Sequence, residues 1–339
     1  MLRIAINGFG RIGRLALRVG FKQKGLEFVA INDLNSPETL AHLLKYDTVY
    51  RAWDRRVKAG DGFLVVDGKK IPVFAQKDPG RLPWKERKVD VVIESTGFFT
   101  NEAGASAHIG AGAKSVVVSA PSEDLPTHLM GVNHQDLHPK TRVICNASCT
   151  TNSAGPVVQI LHEAFGIQKA MLSTVHSVTS GQNVVDSIPP ARKPDLRRAR
   201  SILGNIIPTH TGAAEATAKA AAYLQGKFDG VAIRVPTLDV SLSSFSVLLR
   251  QRTDIEHVNQ AFRQAARSAR WKGIFDVTEE PLVSSDLIGN PHASVADLSM
   301  TKVVDGDFVN VLAWYDNEWG YANQLIMMVR EVGKRVLKK

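Results

Sequence analysis

The sequence predicts an α/β protein in two parts: a doubly wound parallel sheet, then an α+β part whose sheet is mainly antiparallel. Three observations predict it. Short apolar runs alternate with helical patterns as far as Cys145, the pattern of strand, helix, strand. A glycine spacing, Gly8-x-Gly10-x-x-Gly13, stands between the first apolar run and the first helix. After Cys149 the strands become longer and less regular, as in an antiparallel sheet carrying helices. A chain of 339 residues also exceeds the length at which one core stops growing, roughly 250–300 residues. The expected division is 1–149 and 150–316, with a last helix, 317–339, packing back onto the first part.

The first strand is read at 2–6 and leads through Asn7-Gly8-Phe9-Gly10-Arg11-Ile12-Gly13-Arg14 into a helix carrying Leu15, Leu17 and Val19. A second strand, 28–31, ends at Asn32-Asp33, twenty residues beyond Gly13. Strand, glycine turn, helix, strand and spaced acid form the dinucleotide fingerprint in its required context, a Rossmann unit. Gly8 makes the turn, Gly10 admits a pyrophosphate, and Gly13 lets helix and strand pack; the helix start holds the diphosphate. Asp33 accepts from ribose hydroxyls and repels a 2′-phosphate, which favours NAD over NADP. A helix is expected at 37–45, strands at 63–66, 71–74, 89–93, 115–118 and 142–145, and a helix at 103–113. Beyond a helix at 153–165, strands are read at 170–175, 231–235, 240–247 and 307–315, and helices at 213–224 and 255–269. Residues 177–200 read as one long polar loop, a length usual for functional or interfacial segments.

Composition is ordinary for a globular protein, with 44% hydrophobic and 22% charged residues. Two cysteines exclude a disulfide scaffold and point to a reducing, cytoplasmic setting. No signal peptide and no membrane span are read in the chain, and no metal site is expected. The net charge of +9 comes without zinc-finger spacing or an aromatic RNA-binding signature. Small anionic ligands therefore account for it better than nucleic acid as the main ligand.

Cys149 stands in Asn146-Ala147-Ser148-Cys149-Thr150-Thr151-Asn152, a run of small polar residues followed by the apolar series Val157, Val158, Ile160 and Leu161. That places a thiol in the first turn of a helix, where free N–H groups and the positive dipole end stabilise a thiolate. A lowered thiol pKa and a nucleophilic role are expected. Cys145 lies in an apolar strand and is read as inert.

Taken together these residues resemble the phosphorylating glyceraldehyde-3-phosphate dehydrogenases over almost the whole chain. The resemblance rests on the glycine motif, on Ala147-Ser148-Cys149-Thr150-Thr151-Asn152, on Asp195-Leu196-Arg197-Arg198-Ala199-Arg200, on Thr211-Gly212-Ala213-Ala214, on Arg234-Val235-Pro236-Thr237 and on Trp314-Tyr315-Asp316-Asn317-Glu318-Trp319-Gly320-Tyr321. It implies a glycolytic or gluconeogenic enzyme that oxidises and phosphorylates glyceraldehyde 3-phosphate through a hemithioacetal and a thioester on Cys149, with His176 as base. It implies that Thr179, Arg198 and Arg234 hold the substrate phosphate, and that Ser148, Thr150, Thr211 and Gly212 line the site of attacking inorganic phosphate, with Arg234 close to both. On the cofactor side it puts Arg11 and Ile12 at the pyrophosphate turn, Thr96 and Ser119 in the crevice, Asn317 on the carboxamide and Tyr321 near the nicotinamide. A homotetramer follows from the same resemblance. Segment 187–194 is longer than the usual loop by about four residues. In the family it packs near a neighbouring subunit's cofactor, so Arg192 and Lys193 leave room for some NADP use. Two other readings compete: an erythrose-4-phosphate dehydrogenase that hydrolyses its thioester, and a nucleic-acid or protein-binding role. Asp33 and the Thr209-His210-Thr211-Gly212 loop favour the phosphorylating enzyme over its relative, in which Glu is typical at the former position.

Overall fold

Strand β1 (Leu2–Asn7) is buried along nearly its whole length, as a strand covered on both faces must be. The computed structural model describes residues 1–188 and 195–337. The chain divides into two compact units, Met1–Ser148 with Ala322–Lys339, and Cys149–Tyr321.

In the first unit β1 leads through the glycine turn into α1 (Arg11–Gly20), whose buried positions include Leu15, Leu17 and Val19. Next come β2 (Leu26–Asn32) and α2 (Pro37–Lys45). The second helix starts where Ser36 accepts from the Thr39 amide and Pro37 presets the first turn. Strands β3 (Val57–Gly60), β4 (Phe63–Val66) and β5 (Lys69–Phe74) form an antiparallel extension. Then follow β6 (Val91–Glu94), α3 (Glu102–Gly110), β7 (Ser115–Val118) and β8 (Val143–Cys145). The eight strands lie in the order β3-β4-β5-β2-β1-β6-β7-β8, and every pairing from β5 to β8 is parallel. Order reverses between β1 and β6, which creates the crevice where open α/β sheets bind ligands.

The second unit opens with α4 (Cys149–Phe165), buried on every side through its first three turns. It lies against strands of a seven-stranded sheet: β9 (Ile167–His176), β10 (Ile207–His210), β11 (Phe228–Arg234), β12 (Ser241–Leu249), β13 (Phe275–Thr278), β14 (Ser294–Val304) and β15 (Phe308–Tyr315). Helices α5 (Ala213–Ala220) and α6 (Ile255–Arg267) belong to this unit, and α7 (Trp319–Leu337) begins in it. The strand order is β10-β11-β9-β12-β15-β14-β13, antiparallel except at β11–β9 and β13–β14. A parallel sheet and a mainly antiparallel one are thus both present, as the sequence predicts.

Several elements differ from expectation. Strands β3, β10, β13 and β14 are additions. The register of β14 against β15 shifts between Asp297 and Lys302, so it lacks clean alternation. Thr209 and His210, read as part of a phosphate loop, lie in β10, and Thr209 is buried. Helix 213–224 ends at Ala220 and continues as a 3-10 turn, Ala222–Leu224. The last helix starts at Trp319, so Asn317 precedes it. A 3-10 turn, Leu196–Ala199, closes the long loop; Arg192 and Lys193 lie outside the described residues.

Candidate active site

In the first unit the fingerprint residues converge at the carboxyl end of β1. Gly8 has φ +90°, and a Cβ there would stand 2.6 Å from the Thr96 nitrogen, so no other residue fits. A Cβ on Gly13 would meet the Gly8 carbonyl oxygen at 2.2 Å. Gly10, by contrast, has nothing within 4 Å of that position, which leaves its backbone open to a close-lying pyrophosphate at the start of α1. Asp33 closes the crevice: one carboxylate oxygen accepts from the Phe9 amide at 2.7 Å, the other from the Asn35 side chain at 2.8 Å. Arg11 pairs with Asp47. Burial raises the Asp47 carboxyl, but the Tyr50 and Val49 amides and Arg11 outweigh it and hold the group below the usual range. Ile12 and Ser119 are half-buried.

Glu94, which the sequence marks only as the end of an apolar strand, is the centre of a buried network. Its carboxylate accepts from the Thr96 amide at 2.8 Å and hydroxyl at 2.5 Å, and from Asn7 at 2.5 Å. Trp84 donates to His108 Nδ1 at 2.9 Å, so the His108 Nε2 proton faces Glu94, also at 2.9 Å. This buried network fixes Thr96 at the end of β6. The only trace of it in the sequence is an acid closing an apolar strand.

In the second unit, alternation along β9 turns Leu172, Thr174 and His176 inward. Cys149 opens α4, which packs on β9, β12, β14 and β15. The Cys149 sulfur lies 3.5 Å from His176 Nε2. Parallel pairing of β11 with β9 sets Arg234 beside His176. Arg234 Nη1 lies 2.7 Å from His176 Nδ1 and 3.0 Å from the Ser177 carbonyl, which is itself 2.8 Å from Nδ1. Arg234 Nε is buried without a hydrogen-bond partner among the described residues.

Tyr315, not singled out from the sequence, braces the cluster. Its hydroxyl meets Thr174 at 2.7 Å and Thr150 at 3.0 Å, and its ring stands edge-on to His176. Burial pushes its hydroxyl up to about 12, so it stays protonated. Asn317 Oδ1 accepts from both Ser177 and Ser241, which turns its amide NH2 away from them. Ser241 follows Val240, a β-branched residue held at φ +63°, a strained backbone position at the edge of the site.

The expected lowering of the Cys149 thiol is corrected here. Burial raises it; Arg234 and the amides at the helix start act the other way but are outweighed. The residue keeps part of its surface exposed, yet the sulfur sits in dense surroundings where a thiolate loses hydration. His176 is lowered to about 3, by burial first and then by the charge of Arg234. Thiol and imidazole therefore rest neutral.

Arg198 also acts on His176 and Arg234 through its charge, and it donates to Thr209 at 3.0 Å. Two guanidinium groups close together describe a place for an anion. Thr179 is exposed in the loop after β9 and its amide donates to Gln182. Thr211 accepts from the Ala213 amide and Gly212 caps α5. None of these contacts ties the three residues to the thiol. Ser148 immediately precedes Cys149, and Tyr321 is buried in the first turn of α7.

A dinucleotide fingerprint in one unit, and a thiol and an imidazole 3.5 Å apart in the other, fit the dehydrogenase class. Comparison with known proteins gives the family. Residues 2–102 match the model for the glyceraldehyde 3-phosphate dehydrogenase NAD binding domain, and residues 148–317 match that for the C-terminal domain. The chain is 45% identical to glyceraldehyde-3-phosphate dehydrogenase 2 of Bacillus subtilis, over 99% of this chain and 98% of that one. It is 47% identical to glyceraldehyde-3-phosphate dehydrogenase 1 of Bacillus cereus over 96% and 97% of the two chains. With the corresponding enzyme 1 of Saccharomyces cerevisiae the identity is 42%, over 98% and 100%. The chain belongs to the glyceraldehyde 3-phosphate dehydrogenase family, and NAD is its cofactor.

Proposed function

We propose that this NAD-dependent glycolytic oxidoreductase converts glyceraldehyde 3-phosphate and inorganic phosphate into 1,3-bisphosphoglycerate at Cys149. The observation that carries the reading is the 3.5 Å approach of the Cys149 sulfur to His176 Nε2, with Arg234 alongside. Cys149 gives its proton to His176 as sulfur bonds to the aldehyde carbon, and His176 passes that proton to the aldehyde oxygen, leaving a hemithioacetal and a neutral imidazole. In the next step Nε2 takes the hemithioacetal hydroxyl proton as the carbonyl re-forms. NAD, when bound, supplies the hydride acceptor. The product on Cys149 is a thioester, and phosphate attack releases the acyl phosphate and the thiolate. Arg198 and Arg234, with the Thr179 hydroxyl, suit the substrate phosphate; Ser148, Thr150, Thr211 and Gly212 suit the attacking one. On the cofactor, Gly8, Gly10, Gly13, Arg11, Ile12 and Asp33 suit the adenosine diphosphate part, and Thr96, Ser119, Asn317 and Tyr321 the nicotinamide part. Hydroxylamine trapping tests the product. With hydroxylamine added only after the enzyme has been filtered off, a hydroxamate in the filtrate of runs that contained phosphate is expected, whereas free acid in its place would mean a hydrolysed thioester and make erythrose 4-phosphate the substrate to try.

Asp33→Ala should weaken NAD binding roughly 10–100-fold, the range for charge-assisted hydrogen bonds, and narrow the preference over NADP. Titration calorimetry with both dinucleotides measures this, and an unchanged ratio would contradict the assignment.

We also place the chain in a cytoplasmic homotetramer. No helix among the described residues is long and apolar enough to cross a membrane, and both cysteines are free. The outer face of the second sheet exposes Met171, Val175, Val231 and Phe308, an apolar surface suited to another copy. Light scattering should give about four times the 37.0 kDa chain mass. Val231→Glu should yield smaller species; a wild-type monomer would contradict the assembly.

A further inference from the structure

Glu94 ends β6 as a buried carboxylate, 1% exposed, and its neighbours Asn7 and His108 are buried as completely. Backbone amides and one indole decide the orientation of each partner. The Gln76 amide donates to Asn32 Oδ1 at 2.8 Å, so Asn32 Nδ2 donates to Asn7 Oδ1 at 2.6 Å and leaves Asn7 Nδ2 to donate to Glu94. The Phe98 amide donates to the Thr96 hydroxyl at 3.1 Å, which leaves that hydroxyl to donate to Glu94 beside the Thr96 amide. An indole N–H only donates, so Trp84 excludes a proton from His108 Nδ1 and holds the ring neutral, with its one proton on Nε2 toward Glu94. An imidazolium there would neutralise the carboxylate, and the Trp84 N–H forbids it. Glu94 thus meets four donors and no acceptor among the described residues, the setting of an ionised carboxylate, and none of the four donors is charged. Among the described residues no Lys or Arg pairs with it.

A buried charge with no counter-ion is held at a cost in stability. Its place in the fold gives it a use. Ser95 Oγ donates to the Gly8 carbonyl at 2.7 Å, and the Thr96 nitrogen stands 2.6 Å from where a Gly8 Cβ would be. The carboxylate is therefore fixed against Asn7 and Thr96, the residues that flank the turn suited to the dinucleotide. The two states of that cofactor differ in charge at the ring: oxidised nicotinamide is a cation, and reduced nicotinamide is neutral. We propose that Glu94 discriminates between them, its fixed negative charge favouring the oxidised form over the reduced one in binding. The diphosphate meets the same charge in both forms, so its repulsion cancels from the comparison. Glu94 loses this attraction when the ring is reduced, and its field then favours exchange of NADH for NAD. The inference rests on reading Thr96 at the nicotinamide part of the cofactor.

Calorimetric titration with NAD and with NADH gives two dissociation constants, and their ratio reads the charge apart from any general loss of binding. Glu94→Gln should raise the ratio of Kd for NAD to Kd for NADH roughly 3–10-fold, the scale of one unit charge acting through protein at an effective dielectric of about 20. His108→Gln, which keeps the carboxylate and a neutral donor, should change both constants by the same factor and leave the ratio at its wild-type value. Should Glu94→Gln not fold, Glu94→Gln/Trp84→Phe takes its place: without the indole, His108 can carry its proton on Nδ1 and accept from the new amide at Nε2. An unmoved or lowered ratio on loss of the carboxylate, or an equal rise in His108→Gln, would overturn the inference. Thr96→Ala separates its failure from that of the site. Unchanged affinity of this variant for both dinucleotides overturns the placement of Thr96, and the inference with it. Weakened binding in Thr96→Ala, beside an unmoved ratio in Glu94→Gln, overturns the role of the charge alone.

Discussion

Replacing Cys149 by serine should lower NADH production on the order of 10⁴-fold or more, the scale on which removal of a nucleophile is felt. The serine oxygen would occupy the same first turn of α4, facing His176 Nε2. A serine hydroxyl gives up its proton several orders of magnitude less easily than a thiol, and its oxygen is the weaker nucleophile. NAD affinity should be unchanged, because the fingerprint that suits it belongs to the other unit. Initial rates and NAD titration of the same preparation check both parts. A variant keeping more than about a tenth of the wild-type rate would remove Cys149 from the chemistry.

The second large effect is at His176. His176→Asn should reduce kcat by roughly 10²–10⁴-fold, the contribution of a positioned general base, with a smaller change in KM. It should also alter acid stability, and the sign follows from the direction of the shift. The folded value, about 3, lies below the ordinary 6.5, so between those pH values the unfolded chain binds a proton that the folded chain excludes. Stability is therefore lost as pH falls from 6.5 toward 3, at about 1.4 kcal/mol per pH unit from this residue. His128, His162 and His292 are lowered as well, chiefly by burial, and add to the same trend. Urea titrations across that window should give His176→Asn a slope shallower by about that one proton. Equal slopes would mean that His176 is protonated in the folded chain.

What could be read from the residues was set by how local the cause is. The Gly8 turn, α1 and the helix that starts at Cys149 depend on neighbours in sequence, and spacing alone declares them. Glycine has a backbone reason to stand at position 8, and Asp33 has one to follow, since it takes the Phe9 amide. Long-range pairing leaves fainter marks. β14 is buried by contact with β15 despite its irregular register, and Thr209 is drawn into β10 by pairing with Ala232. The meeting of Arg234 with His176 is a consequence of parallel register between strands far apart in the chain. The thiol departs from expectation for a related reason: a helix start can be read locally, but the burial that outweighs it is assembled from distant segments such as β9 and β15. Without the family resemblance, Arg198 could not have been chosen over Arg197, yet here Arg197 pairs with Asp195 while Arg198 acts on His176.

The central claim is that oxidation stops at a thioester on Cys149 until phosphate arrives. Rapid mixing of the enzyme with NAD and glyceraldehyde 3-phosphate in phosphate-free buffer tests it, with absorbance followed through the first turnover. The account predicts a burst of one NADH per chain and then near silence, with sustained turnover on adding phosphate. Continuous turnover without phosphate, or no burst at all, would contradict it.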